Sequence, residues 1–332
     1  MHFHKHDRKQ LLLTLRFALC YPRKQEVSTI QDFELTNWLV NNAGTTVKFR
    51  TLIDILDRPD IGEVGRTFSV LEMDPAIVEL VEAIPNEINS ESIHSASLYA
   101  FENIMGILFQ MGIRAGMQLF DLKTLPYRVW LKRNNDPKSQ DCQIVSAFLS
   151  LTGYGSIRPV QNMYHDRLGD LNKNPQNISI YDVIGLSHMQ TLMKNEFTRN
   201  QIEEIVFQVC KEVKKNEMSQ AERCDYLLSS IISKVEKRQN NLLLILELLA
   251  PLWIIQESKW FRKALGDLES YRTPKGTYLF PECMLSHKEE GFWINGDFMA
   301  MDLHERTKAE IECESTFRML RIRQLSGLLR TR

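Results

Sequence analysis

Between Glu91 and Lys215 one two-helix pattern recurs, and this recurrence constrains the fold more than any other feature of the 332-residue chain. SIHSASLYAFENIMGILFQMG is apolar around much of a helical circumference, the mark of an enclosed helix. LFDLKTLPYRVWL follows and is apolar on one side only. The alternation restarts with CQIVSAFLSLTG and VQNMYHDRLGDL, and again with IYDVIGLSHMQTL and QIEEIVFQVCKEV. In the last of these, Ile202, Ile205, Val206, Val209, Cys210 and Val213 form an i, i+3, i+4, i+7 stripe. Gly112 and Gly153 stand 41 residues apart, each just after the apolar helix, while Lys194-Asn195 holds that place in the third unit. A degenerate repeat of two helices per unit predicts stacked helical hairpins. An enclosed helix alternating with a one-faced helix predicts an inner and an outer layer. The expected fold is therefore all-α, a single domain over residues 1–332 closed into a double-layered barrel, an α/α toroid.

The flanking segments extend this pattern. FELTNWLVNNAGTTVKFRTLIDILDRPD reads as two more helices, the second capped by Thr45 or Thr46 and ended by Arg58-Pro59. NLLLILELLAPLWII, Asn241 to Ile255, is the most apolar run, but Glu247 and Pro251 interrupt it and a bilayer needs roughly 20 residues. It reads as a buried helix, with no transmembrane segment expected. The basic and acidic residues, 41 and 42, nearly balance, which argues against a nucleic-acid partner. Residues 1–30 form an N-terminal extension whose start, MHFHKHDRKQ, lacks the apolar core of a secretion signal. The cysteines (Cys20, Cys142, Cys210, Cys224, Cys283, Cys313) are scattered without a CxxC pair, as reduced thiols are, so a cytoplasmic location is expected.

Residues 271–302 break the helical pattern with Pro, Gly, aromatics, His and carboxylates. A loop this long in a compact helical domain acts as a lid or binding element. Tyr278, Phe280, Met284, Phe292, Trp293, Phe298 and Met299 need a surface to pack on. The segment is expected over one end of the barrel, with Trp293 buried and His287 or Asp297 directed at the cavity.

Two stretches carry a family resemblance. FELTNWLVNNAGTTVKFRTLIDILDRPD looks like the opening of bacterial proteins described as prenyltransferase or squalene-cyclase-like. WFRKALGDLESYRTPKGTYLF is similar to the repeat of the terpenoid cyclase and protein prenyltransferase β-subunit superfamily, through Leu268, Ser270, Pro274, Gly276 and Tyr278. The resemblance implies an α/α toroid with a central cavity open at one end, suited to an apolar, isoprenoid-like ligand. It implies no cofactor here, because the family's chemical motifs are absent. There is no Asp-x-Asp-Asp acid, no DDxxD magnesium site and no Asp-x-Cys zinc pair, only Glu282-Cys283 with His287 four residues on. Cys283 and His287 supply two zinc ligands rather than the three or four a site needs, and no metal is expected.

Polar residues on the enclosed helices are the candidate chemistry. Glu102 and Asn103 interrupt the first, Asp141 and Gln143 open the second, Tyr181 and Asp182 open the third, and His188 follows. Helix caps and a hydrogen-bonded core histidine account for these residues plainly. An inner ring with Glu102, Asp182 and His188 as catalytic groups and Tyr181 as a binding group would instead serve acid–base chemistry on an apolar substrate. His287, Trp293, Asp297, Glu314 and Arg318 are the further ligand-binding candidates. For Glu314 and Arg318 the simple alternative is an i, i+4 pair near a helix start. No P-loop, GxGxxG, GxSxG or EF-hand loop occurs. Two functions follow: binding, with or without transformation, of an apolar small molecule, or a helical scaffold that holds a protein or peptide.

Overall fold

The computed structural model describes residues 30–56, 59–174, 177–188, 241–256 and 258–329. Among them every regular element is helical and no strand forms. Their extended pairings are isolated bridges of Ser97 with Glu290, Arg272 with Tyr278, and His287 with Phe298. No described helix is long and apolar enough to cross a membrane. The N-terminal extension to residue 29 and the stripe from Ile202 to Val213 lie outside the described residues.

In chain order the helices are α1 (Ile30–Asn42), α2 (Thr45–Arg50, continued by a π-turn at Thr51–Ile55), α3 (Ile61–Glu72), α4 (Pro75–Glu82) and α5 (Ser90–Ile93). Then come α6 (Phe101–Gln110), α7 (Gln118–Arg133), α8 (Gln140–Leu149, continued by a π-turn at Ser150–Tyr154), α9 (Arg158–Lys173) and α10 (Ile180–His188). The last four are α11 (Leu242–Leu249), α12 (Trp253–Gln256), α13 (Lys259–Glu269) and α14 (Lys308–Leu325). Local signals start many of them. Asp60, Asp74, Ser139 and Ser258 each accept a backbone N–H of the first turn. Thr307 and Glu310 form a reciprocal capping box on α14.

The two layers are visible in burial. Every residue of α6 is buried, as are Cys142–Leu149 of α8, Ile180–Leu186 of α10, Leu243–Leu249 of α11 and Cys313–Leu320 of α14. By contrast α7 buries one stripe, Phe120, Thr124, Tyr127 and Leu131, and α13 buries Phe261, Ala264 and Leu268. Successive inner helices pack in order, α6 on α8, α8 on α10, α10 on α11 and α11 on α14, and α14 packs on α1 and α2. The inner helices α6 and α10 run parallel. Their second residues meet, Tyr181 Oη donating to Glu102 Oε2 at 3.0 Å. Their ninth residues meet as well, His188 lying edge-on to Phe109 at 5.8 Å.

The glycine pair of the repeat sits at equivalent turns, Gly112 at φ 89° and Gly153 at φ 100°, a region other residues avoid. The two turns are tied directly, with Ala115 N donating to Thr152 O at 2.8 Å.

One expected helix is divided. The chain leaves α5 after Ile93 and re-enters helix only at Phe101. Asn103 Nδ2 holds the intervening segment by donating to Ser95 O at 3.1 Å and Ser97 O at 2.8 Å. Four serines between positions 90 and 97 offer the backbone such alternatives to helical bonding.

Residues 271–302 are anchored twice. Tyr278 N and Phe280 N donate to the hydroxyls of Thr316 (2.9 Å) and Ser315 (3.0 Å) on α14. Further on, Asn103 Nδ2 donates to Gly291 O (3.0 Å), Trp293 N to Asn103 Oδ1 (2.7 Å) and Gln110 Nε2 to Phe298 O (2.8 Å). The segment thus follows α6 from its first turn to its last. Trp293 is fully buried over Gly106, edge-on to Phe109 and Phe148 at 6.5 and 5.4 Å.

Candidate active site at the start of the inner helices

Glu102 lies in the first turn of α6, where the helix dipole favours a carboxylate. It is completely buried. Its Oε2 accepts from Tyr181 Oη at 3.0 Å and contacts His94 Nδ1 at 2.5 Å, while Oε1 has no partner. His94 projects from the turn between α5 and α6, and its side chain is 29% exposed. Phe292 lies against the imidazole at 4.8 Å between ring centroids, and Tyr181 meets it edge-on at 6.4 Å. Beside it Asp141, in the first turn of α8, accepts from Ser90 Oγ at 2.6 Å.

The electrostatics follow from this arrangement. The hydrogen bond with Glu102 raises the His94 pKa against the opposing effect of burial, and the charges of Glu102 and Asp141 add to the rise. Burial, then the Glu102 charge, pushes the Tyr181 phenol well above its usual value, so it acts as a hydrogen-bond donor. With Nδ1–H donated to a fixed carboxylate, neutral His94 presents Nε2 as a bare acceptor. Such an oriented imidazole can take up a proton and return it.

The sequence candidates fall into separate groups. Glu102 and Tyr181 come together, with His94 rather than His188. His188 stands at the opposite end of α10, where Nδ1 is 2.8 Å from Ile184 O and burial lowers its pKa to about 4. Asp182 belongs to a fork with Arg167, Nε to Oδ1 and Nη2 to Oδ2 both at 2.8 Å, and also accepts from Ser179. Trp293 is core. Asp297 accepts from Phe292 N at 3.0 Å and pairs with Lys288, folding its own loop. His287 packs on Phe298 at 6.0 Å. Among the described residues no three His, Cys, Asp or Glu side chains gather closely enough to hold a metal.

Glu314 and Arg318, midway along α14, belong to a second, larger group that meets the C-terminal ends of α6 and α11. Arg50 Nη1 donates to the carbonyls of Phe109 (3.1 Å) and Gln110 (2.5 Å), its Nε pairs with Asp54, and Nη2 reaches Glu247 at 3.4 Å. Arg318 pairs with Glu314 at 2.9 Å and Glu247 at 3.4 Å, and donates to Gln110 Oε1 at 2.6 Å and to Met299 O. Arg306 completes Glu314 at 2.6 Å, and Arg114 completes Asp54 at 2.7 Å. Burial pushes the Glu314 pKa up against the pull of Arg318 and Arg306. Burial also opposes ionisation of Asp54, but Arg114, Arg50 and Arg321 outweigh it and hold the carboxyl far below the usual range. These carboxylates are consumed by guanidiniums, leaving the His94 group as the one with an unsatisfied carboxylate oxygen beside a partly exposed imidazole.

Comparison with family models, curated proteins and solved structures finds no match to the chain.

Proposed function

We propose that the chain closes into an α/α toroid and binds a small, largely apolar molecule where α6, α8 and α10 begin, with His94 as general acid–base. Closure is supported by the packing of α14 on α1 and α2, reinforced by Arg323 to Asp32 at 3.0 Å and Arg321 Nη1 to Asp54 O at 2.9 Å. A closed ring is also the architecture that the resemblance to terpenoid cyclases and prenyltransferases implies. The functional reading is carried by one observation: a single buried oxygen of Glu102 bonds both His94 Nδ1 and Tyr181 Oη. Glu102 orients the imidazole, Phe292 offers the apolar wall, and Nε2 faces the ligand. The free, unpaired Cys142, Cys283 and Cys313 support a cytoplasmic setting for this activity.

Native mass spectrometry of freshly purified protein tests the reading. Wild-type protein should carry a small-molecule mass that is depleted in His94→Ala, with the helical circular dichroism unchanged. An unliganded wild type, or an adduct indifferent to His94→Ala, would count against it.

A further inference from the structure

The guanidiniums of the arginine group outnumber the carboxylates they meet. Among the described residues, Arg50, Arg114, Arg306, Arg318 and Arg321 face Asp54, Glu247, Glu314 and Asp302. The shortage falls on one corner. Arg306 and Arg318 hold Glu314, and Glu247 is divided between Arg50 and Arg318. Asp54 is what remains for Arg114 and Arg321, and Arg50 Nε already occupies its Oδ2. Arg114 Nη2 and Arg321 Nη2 therefore converge on Oδ1, at 2.7 and 3.8 Å, the second too long for a hydrogen bond.

Arg321 spends Nη1 on Asp54 O at 2.9 Å and on Gln324 Oε1, and its Nε–H finds no acceptor in the protein. The Nε–H of Arg114 finds none either. Arg167 shows what such an edge does when it is matched. Its Nε and Nη2 fork the two oxygens of Asp182, each at 2.8 Å. On Arg321 the same edge meets no carboxylate within hydrogen-bond distance. The electrostatics agree. Burial opposes the charge of Arg50, but Asp54 and Glu247 outweigh it. Burial pulls Arg321 below the usual arginine value, and Arg50 and Arg114 add to the fall. Phe109 walls the corner, with Arg114 over the ring at 5.8 Å and His188 edge-on at 5.8 Å. The Arg114 side chain is 32% exposed and that of Arg321 14%, so the corner opens to solvent beside Arg114.

We infer that Arg114 and Arg321 together bind a small anion presenting two oxygens in one plane, a carboxylate or a phosphate group. The Nε–Nη2 edge of a guanidinium matches such a pair of oxygens, and the second guanidinium adds charge to the same spot. The site lies at the opposite end of α6 from the His94 group and does not depend on it.

Isothermal titration calorimetry on the full chain tests this with inorganic phosphate and with acetate, ionic strength being held constant with chloride. At least one of the two should bind saturably at one equivalent, and the tighter one names the group. Arg321→Lys keeps the charge but loses the edge, and should cut the affinity by about tenfold or more. Arg114→Gln, on the partly exposed side, should do the same with the circular dichroism spectrum unchanged, and it decides the matter if Arg321→Lys does not fold. Lys138→Gln, an exposed cation at the start of α8, should bind as wild type does. No saturable heat with either anion would overturn the inference. So would binding that survives Arg114→Gln, or that Lys138→Gln weakens equally.

Discussion

Gly106→Ala is the most telling single substitution, because helix propensity and packing give opposite signs. Alanine inside a helix is worth about 0.5–1 kcal/mol over glycine. At Gly106, however, a new Cβ would stand 2.3 Å from Trp293 Cγ and Cδ2 and 2.6 Å from Cδ1. Those atoms belong to the base of a rigid ring, held by Phe109, Phe148 and the Trp293 N to Asn103 bond, so no flexible tip can swing aside. Overpacking of this kind costs about 1–3 kcal/mol, and the upper end applies here. The net loss is then about 2 kcal/mol, or roughly 4 °C at about 2 °C per kcal/mol for a chain of this size. Gly266→Ala is the control, since nothing lies within 4 Å of its Cβ. It should raise the melting temperature slightly. Trp293→Ala alone should cost about 3–5 kcal/mol. In that background the clash is gone, and Gly106→Ala should become neutral or stabilising, giving a coupling of about 2–3 kcal/mol in a double-mutant cycle followed by urea unfolding. If Gly106→Ala stabilises as Gly266→Ala does, or if the two losses simply add, the indole does not occupy this space and the account of the segment is wrong.

Two further outcomes concern buried charge. Asp54→Asn strands three guanidiniums and should destabilise by about 3–5 kcal/mol at pH 7. The folded-state pKa of Asp54 is depressed, so its contribution is present above the unfolded value near 3.9 and fades as pH falls below about 4. The gap between wild type and variant in urea should therefore narrow at pH 3, and a constant gap would refute the assignment. Burial lowers His188 and His287 to about 4. Protons then favour the unfolded chain, whose histidines titrate near 6.5, and stability should decline as pH falls from about 6.5 to 4. His188→Leu should flatten part of that slope in urea midpoints, and an unaltered slope would show that His188 is not buried in its neutral form.

What could be read from the residues was what depends on short spacing. The repeat showed in Gly112 and Gly153, which occupy matching left-handed turns. The inner layer showed in Phe101–Gln110, where Glu102, Asn103 and Gln110 interrupt an otherwise apolar helix. The cap expected from Thr45 or Thr46 does not form, since α2 starts after Gly44 without a side-chain cap, while Asp60, Asp74, Ser139 and Ser258 cap other helices. His94 was hidden, because the apolar pattern runs on through SIHSASLY and only the serines hint that the chain leaves the helix there. The arginine group was hidden for another reason. Arg50 meets the end of α6 across 59 residues and Glu247 across 197, and no local pattern encodes such pairing. Trp293 over Gly106 is similar, although a lone glycine in the middle of an apolar helix was itself a sign of a close approach.

The placement of the two polar groups has a common cause. Because α6 and α10 run parallel, their dipoles add, and their first turns together present positive partial charge. Glu102, Asp141 and Asp182 all stand in first turns, whereas Arg50 donates to the last carbonyls of α6 and Arg318 to a residue of its last turn. The arginine group also holds Asp54 and Glu247 at helix C-termini, where guanidiniums offset the unfavourable dipole. This bears on chemistry. At the start of α6 Glu102 bonds His94 and Tyr181 rather than an arginine, and this carboxylate orients the imidazole. Asp182 at the same end is taken by Arg167, as Glu314 in the other group is by Arg318 and Arg306. What separates the two groups is thus the partner each buried carboxylate meets, an imidazole and a phenol at Glu102 and a guanidinium at Glu314 and Asp182.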